Sequence, residues 1–99
     1  MKARFIAPAQ QEFDKAVERY NAKAPGLGDA LFDEVVSATQ RLFDFPELWP
    51  KVRQNIRRCR LNRFPYSLLY RADTEEIVVI AVMHHRRRPD YWRSRLKSL

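Results

Sequence analysis

The spacing of the apolar residues changes midway along the chain, and this change limits the folds that are open to it. Between residues 9 and 44, apolar side chains recur every three or four positions, which places them on one face of an α-helix. After Pro50 they alternate or run continuously over short segments, which is typical of β-strands. Helices followed by strands predict an α+β fold, in which the two kinds of element are segregated.

The first half of the chain predicts one short strand and two helices. Ala3–Ala7 is a short apolar strand, and Pro8 can open a helix because its missing N–H is no loss in the first turn. That helix ends at Pro25-Gly26. The second helix spans about Leu27–Asp44 and has the wider apolar face. Phe45–Pro50 holds two prolines and is predicted to be a loop.

Three strands and a final helix are predicted in the second half. The strands are Ile56–Leu61, Tyr66–Ala72 and Ile77–His84, and short connections make them an antiparallel meander. Pro89 opens a helix over Asp90–Leu96. The order β-α-α-β-β-β-α predicts a helical hairpin packed on one face of a small antiparallel sheet.

The positive charge is concentrated in that second half. Residues 1–48 carry a net charge of −2 and residues 49–99 a net charge of +9, and eleven of the thirteen basic residues in the latter are arginines. The planar guanidinium of arginine suits phosphates, carboxylates and aromatic faces. A field of this kind attracts acidic partners, so the sequence predicts a polyanion or an acidic protein surface as the ligand.

Length and composition indicate one small intracellular domain. Ninety-nine residues suffice for one modest core, so residues 1–99 are expected to form a single domain. The longest apolar run, Ile77–Met83, is far shorter than the roughly 20 residues of a membrane-spanning helix. A single cysteine, Cys59, excludes an internal disulfide and is compatible with a reducing cytoplasm. No cofactor and no metal site are predicted.

Two motifs point to a known group of proteins. Arg63–Tyr70 reads Arg-Phe-Pro-Tyr-x-x-x-Tyr, and Val82–Trp92 reads Val-Met-His-His-Arg-Arg-Arg-Pro-Asp-Tyr-Trp. Together with Tyr20 and Gly26-Leu27-Gly28 upstream, they resemble the RelE/ParE superfamily of toxins from bacterial type II toxin–antitoxin pairs. The resemblance covers essentially the whole chain. It implies a growth-inhibiting toxin and a cognate acidic antitoxin, expected to be of the ribbon-helix-helix type.

The resemblance also implies two very different targets. RelE-like members cut messenger RNA in the ribosomal A site, without a metal, whereas ParE-like members poison DNA gyrase. RNA cleavage needs groups that transfer protons and cations that stabilise the phosphate. The candidates for proton transfer are His85, or its neighbour His84, and Tyr91. The candidate cations for target or antitoxin binding are Arg58, Arg60, Arg86, Arg87 and Arg88.

One departure from the nuclease pattern favours gyrase as the target. RelE-like nucleases usually carry a basic side chain in the strand that matches Tyr66–Tyr70, but Ser67 stands at that position. Arg86–Arg88 offer charge from another side, so the ribosome-dependent nuclease stays open as an alternative. A third hypothesis is a non-toxic nucleic-acid-binding domain, which would explain the charge but lacks the usual recognition motifs.

The same residues also have purely structural interpretations. Adjacent residues of a strand point to opposite faces, so one of His84 and His85 is expected in the core and the other on the basic surface, which disfavours a metal site. Trp92 is expected to be a hydrophobic anchor. Tyr66 and Tyr70 fit core packing as well as function, and Arg86–Arg88 also fit a solvated turn.

Overall fold

The computed structural model describes residues 2–99 and contains two helices and five strands, with a short 3₁₀ helix at the end. The helices are Ala7–Lys23 (α1) and Leu27–Asp44 (α2). The strands are Lys2–Phe5 (β1), Lys51–Arg53 (β2), Ile56–Arg60 (β3), Tyr66–Ala72 (β4) and Glu76–His84 (β5). The 3₁₀ helix is Arg93–Ser98. The predicted α+β class and its helical hairpin are confirmed.

The sheet is mixed and has the order β1-β5-β4-β3-β2. The predicted antiparallel meander of β3, β4 and β5 is confirmed. The purely antiparallel sheet needs one correction, because β1 pairs with β5 in parallel, from Lys2 opposite Glu76 to Phe5 opposite Val79. A parallel pair needs a long crossover, and the helical hairpin begins that connection between β1 and the rest of the sheet.

Two local predictions were wrong. β2 forms inside the segment that follows the proline loop, where three exposed residues are too few for any alternation to be visible. The C-terminal segment is not a helix over Asp90–Leu96 but a 3₁₀ helix over Arg93–Ser98. A segment this short gains little from helical hydrogen bonds alone, so its path follows the side chains that anchor it.

The two long helices approach each other closely at Gly28. A Cβ atom built there would clash with the carbonyl oxygen of Val17, so the contact requires glycine. Asn21 secures the same point, since its Oδ1 accepts hydrogen bonds from the N–H groups of Gly28, at 2.7 Å, and Asp29, at 3.3 Å. These bonds satisfy donors that the start of a helix otherwise leaves free.

Each face of the sheet carries a hydrophobic cluster. The larger lies between the sheet and the helices and includes Phe13, Leu31, Tyr66 and Tyr70, so both tyrosines belong to the core. The smaller lies on the opposite face and consists of Ile56, Leu69, Ile80, Ala81, Met83 and Trp92. Trp92 is only 2% exposed, which confirms the predicted anchor and fixes the C-terminal segment across this face.

Side chains from the sheet hold the proline loop in place. The Tyr70 hydroxyl donates a hydrogen bond to the Pro46 carbonyl at 2.8 Å, and burial raises the pKa of Tyr70 to about 12. Arg57 donates to the carbonyls of Trp49, at 2.7 Å, and Glu47, at 3.1 Å. The prolines of this loop disfavour a helix or a central strand. Hydrogen bonds from the side chains of the sheet therefore hold the loop in place.

Candidate functional site

The sheet face opposite the helices carries a basic cluster, called here the basic sheet face, formed by Arg58, Arg60, Ser67 and His85. Arg58 and Arg60 are alternate residues of β3 and therefore share one face. Arg60 lies opposite Ser67 in the neighbouring strand β4. His85 directly follows β5. Three consecutive strands of the meander thus bring these four residues together, as the sequence patterns predict for the two arginines.

Ser67 links the basic sheet face through hydrogen bonds. The Arg58 Nε donates to the Ser67 Oγ at 2.9 Å, and the Ser67 Oγ lies 3.0 Å from the His85 Nε2. Because the serine oxygen already accepts from Arg58, its own hydrogen is free to bond to an unprotonated Nε2. Ser67 is fully buried, so its hydroxyl serves this internal bridge rather than solvent.

The electrostatics of this face keep His85 neutral. Burial lowers the pKa of His85, and the positive charges of Arg60 and Arg58 lower it further. Burial and the charge of Arg60 also lower the pKa of Arg58. A neutral imidazole can accept a proton, but here its Nε2 is already paired with Ser67.

Tyr91 belongs to a different set of contacts, called here the Glu12 network, which joins α1, β5 and the C-terminal segment. Arg95 Nη1 and Nη2 pair with the two Glu12 carboxylate oxygens at 2.9 and 3.0 Å. The Tyr91 hydroxyl donates to the same carboxylate. Glu12 also accepts from the Val82 N–H at 3.1 Å, and Arg95 donates to the Ile80 carbonyl at 3.0 Å. The network therefore provides hydrogen-bond partners for two backbone groups of β5 that lie past Val79, where the pairing with β1 ends.

These contacts hold both the proton and the ring of Tyr91. Burial and the hydrogen bond to Glu12 raise the pKa of Tyr91 far above its ordinary value. The guanidinium carbon of Arg87 lies 3.9 Å from the centre of the Tyr91 ring, so a cation covers that face. Within residues 2–99 no hydrogen bond joins His85 to Tyr91, and the two candidates for proton transfer belong to separate networks.

The two histidines diverge as strand alternation predicts. The ring of His84 makes an edge contact with Tyr66, with ring centres 5.0 Å apart, and its Nδ1 accepts a hydrogen bond from the Arg86 N–H at 3.0 Å. His85 instead faces the basic sheet face. Burial lowers the pKa of His84 too, and the nearby Arg86 and Arg19 lower it further. Arg88 is exposed beside them in the turn.

Depressed histidine pKa values predict that stability falls in mild acid. Both groups titrate below 6.5 when folded, so the unfolded chain binds protons first as the pH drops. The contribution of the two neutral histidines to the free energy of unfolding is fully present above about pH 7. It decreases as the pH falls through 6.5 toward the folded pKa values. Urea unfolding at about pH 7.5 and about pH 5.5 measures this loss. A His84→Gln/His85→Gln variant should lose less stability than wild type when the pH is lowered from about 7.5 to about 5.5. An equal loss in both proteins would show that the two histidines do not cause the pH dependence.

Sequence reasoning missed Glu12 and Arg95. Glu12 stands among the polar residues of α1 and Arg95 among the basic residues of the C-terminus, separated by 83 positions. Both side chains are about one-sixth exposed. Nothing in the local pattern of either segment indicates the pair, because only the parallel pairing of β1 with β5 brings α1 against the C-terminal segment.

The described residues offer no metal centre and no membrane span. Across residues 2–99, no three histidine, cysteine, aspartate or glutamate side chains cluster in a way that would hold a metal ion. Neither helix in this part of the chain is both long and apolar enough to traverse a bilayer. Cys59 is buried and unpaired, and burial raises the pKa of its thiol.

The sequence matches a known protein family over most of its length. Residues 4–89 match the family described as the ParE toxin of the type II toxin–antitoxin system parDE. The chain belongs to this family. The match includes the whole of the Arg63–Tyr70 motif and the Val82–Trp92 motif as far as Pro89. It confirms the RelE/ParE resemblance. No individual curated protein matches the sequence significantly.

A solved structure has the same ParE-like fold. It is described as the chromosomal ParDE toxin–antitoxin system from P. aeruginosa, and it superposes with a TM-score of 0.66. The alignment covers 85% of this chain and 95% of the other, with 16% sequence identity. At that identity the similarity supports the fold, while the family match carries the assignment as a ParE toxin.

Proposed function

We propose that this ParE-family chain arrests growth by poisoning DNA gyrase and that a cognate antitoxin neutralises it. The observation that carries the proposal is the position of Ser67. This residue is buried, and its hydroxyl is hydrogen-bonded to both Arg58 and His85. The resemblance to RelE-like nucleases calls for a basic side chain at this position, so the usual cation is replaced by an internal bridge.

The state of the candidate proton-transfer groups supports a binding function over RNA cleavage. General acid–base catalysis requires groups that can reach the substrate and exchange protons near neutral pH. His85 Nε2 is paired with Ser67, and the Tyr91 proton is held by Glu12 with a strongly raised pKa. A gyrase poison needs only a surface that binds its target.

The proposed target surface is the basic sheet face together with the turn that follows β5. Arg58 and Arg60 project from β3, and Arg86, Arg87 and Arg88 follow His85 in the chain. Arginine is favoured where acidic or phosphate groups are recognised, because its planar fork makes paired hydrogen bonds. We assign these five arginines to binding of the target or the antitoxin. In this proposal His85, through Ser67, and Tyr91, beneath Arg87, help to position the arginines.

The antitoxin is proposed to be acidic and of the ribbon-helix-helix type, with an amphipathic helix laid on the helical hairpin. The outer side of α2 exposes apolar side chains, with Phe32 49% and Val36 53% exposed. A small apolar cavity of about 240 Å³ lies beside them between Phe5, Phe13 and Phe43. Exposed apolar surface of this kind fits an amphipathic helix, and the basic sheet face fits the acidic chain that follows it.

A ribosome-dependent messenger endonuclease is the second candidate. The hydrogen-bonded cluster of Arg58, Ser67 and His85 favours it, because it combines a cation with a neutral imidazole on one face. In that function Arg58 and Arg60 would hold the phosphate, and His85 would take the proton of the 2′-hydroxyl.

Inducible expression of two variants distinguishes the targets. If the chain poisons gyrase, His85→Ala should weaken target affinity by only about 1–2 kcal/mol and still arrest growth, and neither wild type nor Ser67→Arg should cut messenger RNA. If it is a nuclease, His85→Ala should slow cleavage by about 10²–10⁴-fold, and Ser67→Arg should increase cleavage. Mapping messenger ends by codon position measures this, and cleavage that depends on His85 would overturn the gyrase proposal.

A further inference from the structure

A second cationic surface lies apart from the basic sheet face, in a groove between α1 and the end of β5. The groove has a volume of about 560 Å³, and the Glu12 network forms part of its lining. Lys15 and Arg19 line it from α1, one helical turn apart, and Arg86 and Arg87 line it from the turn after β5. Two elements thus place four cations around one concave surface.

The charge of the groove is not balanced from within. The Glu12 carboxylate is already paired with Arg95 and Tyr91. Within the part of the chain that the structure describes, residues 2–99, no carboxylate lies within ion-pair distance of Lys15, Arg19, Arg86 or Arg87. Both α1 cations are exposed. A groove that keeps four cations without internal partners is complementary to an anionic ligand.

The lining favours carboxylates over a nucleic-acid backbone. Single-stranded nucleic acids are usually held by bases stacked on exposed aromatic rings. Tyr91 is covered by Arg87, and Tyr66 is only 4% exposed, so these two rings offer no free stacking surface. The rest of the lining includes small apolar groups such as Ala16 and Val82, which suit the backbone and short side chains of a peptide.

We propose that this groove binds an acidic peptide segment of the antitoxin, whose carboxylates pair with Lys15, Arg19 and Arg86. The inference rests on the proposed toxin–antitoxin function and adds a second place where the acidic segment is held, apart from the basic sheet face. Lys15 and Arg19 lie outside the proposed target surface, whereas Arg86 and Arg87 belong to both surfaces. Charge changes at Lys15 and Arg19 should therefore reduce neutralisation by the antitoxin and leave toxicity intact.

Direct binding tests the ligand class. A fluorescent hexaglutamate peptide and a fluorescent oligothymidine are titrated against the purified full chain. Lys15→Glu/Arg19→Glu should weaken peptide binding by at least about tenfold, with Lys15→Gln/Arg19→Gln intermediate. The matched control Lys51→Glu/Arg53→Glu makes the same charge change on β2, at the opposite edge of the sheet, and should weaken it by less than about threefold. Equal losses in both charge-reversal variants, or a loss specific to the oligonucleotide, would overturn the proposal.

Co-expression with the proposed cognate antitoxin tests the occupant. Wild type and both charge-reversal variants should arrest growth alone, and the antitoxin should rescue wild type and the β2 variant but not the groove variant. Rescue of all three, or a groove variant that no longer arrests growth, would overturn the inference. An antitoxin that fails to rescue wild type would instead refute the proposed partnership itself, and the peptide titration would still decide which ligand class the groove binds.

Discussion

Replacing Glu12 with alanine is expected to lower the free energy of unfolding by about 3–5 kcal/mol, the usual result of removing one partner from a buried ion pair. Arg95 would keep a largely buried charge without its carboxylate, and the Tyr91 hydroxyl and Val82 N–H would lose their acceptor. Each unsatisfied buried group adds to the loss. Urea unfolding monitored by circular dichroism measures the change.

Glu18 provides the matched control for Glu12. It lies on the same helix and is exposed, so Glu18→Ala should change stability by less than about 0.5 kcal/mol. A Glu12→Ala variant that loses no more than this would show that the network contributes little to the fold.

Replacing Trp92 with alanine is expected to lower the free energy of unfolding by about 3–5 kcal/mol as well. The indole is almost fully buried against Leu69, Ile80 and Met83, and its Nε1 donates a hydrogen bond to the Pro89 carbonyl at 2.7 Å. The truncation removes the main apolar contact between the C-terminal segment and the sheet. Urea unfolding again provides the measurement.

Two further variants define the role of Trp92. Exposed Arg93 is its neighbour and forms a surface ion pair with Asp90 at 3.9 Å. Arg93→Ala should have a small effect because surface ion pairs contribute little. A Glu12→Ala/Trp92→Ala double variant should lose less than the sum of the two single losses, because both residues anchor the same segment. Full additivity would mean that the two anchors act independently.

The sequence predicted best where one local pattern determines one element. α2 begins at Leu27 and ends at Asp44 as expected, and β4 spans Tyr66–Ala72 as expected. In both, apolar spacing over a whole element agrees with clear breaks at its ends. The opposite orientations of His84 and His85 follow from strand alternation in the same way.

Predictions failed where the structure depends on contacts between distant segments. The parallel pairing of β1 with β5 joins residues more than 70 positions apart, and no local pattern specifies a strand's partner. The C-terminal segment follows its anchors Trp92 and Arg95 rather than its own helical propensity. The Glu12 network was missed for the same reason, although it determines the environment of Tyr91.

On the basic sheet face too, the sequence predicted what depends on a local pattern and missed what depends on contacts between strands. Arg58 and Arg60 stand at alternate positions of the predicted strand Ile56–Leu61, which implies a common face, and the structure agrees. The hydroxyl bridge from Ser67 to Arg58 and His85 was not foreseen. It arises only when three strands are in register, so no local pattern of the sequence indicates it.

The most direct test of the proposed function is a supercoiling reaction with purified DNA gyrase, relaxed plasmid and the purified chain. The proposal predicts that the chain blocks supercoiling and accumulates cleaved plasmid, that His85→Ala retains most of this effect, and that stoichiometric antitoxin abolishes it. Full gyrase activity at saturating concentrations of a preparation that still arrests growth would contradict the proposal.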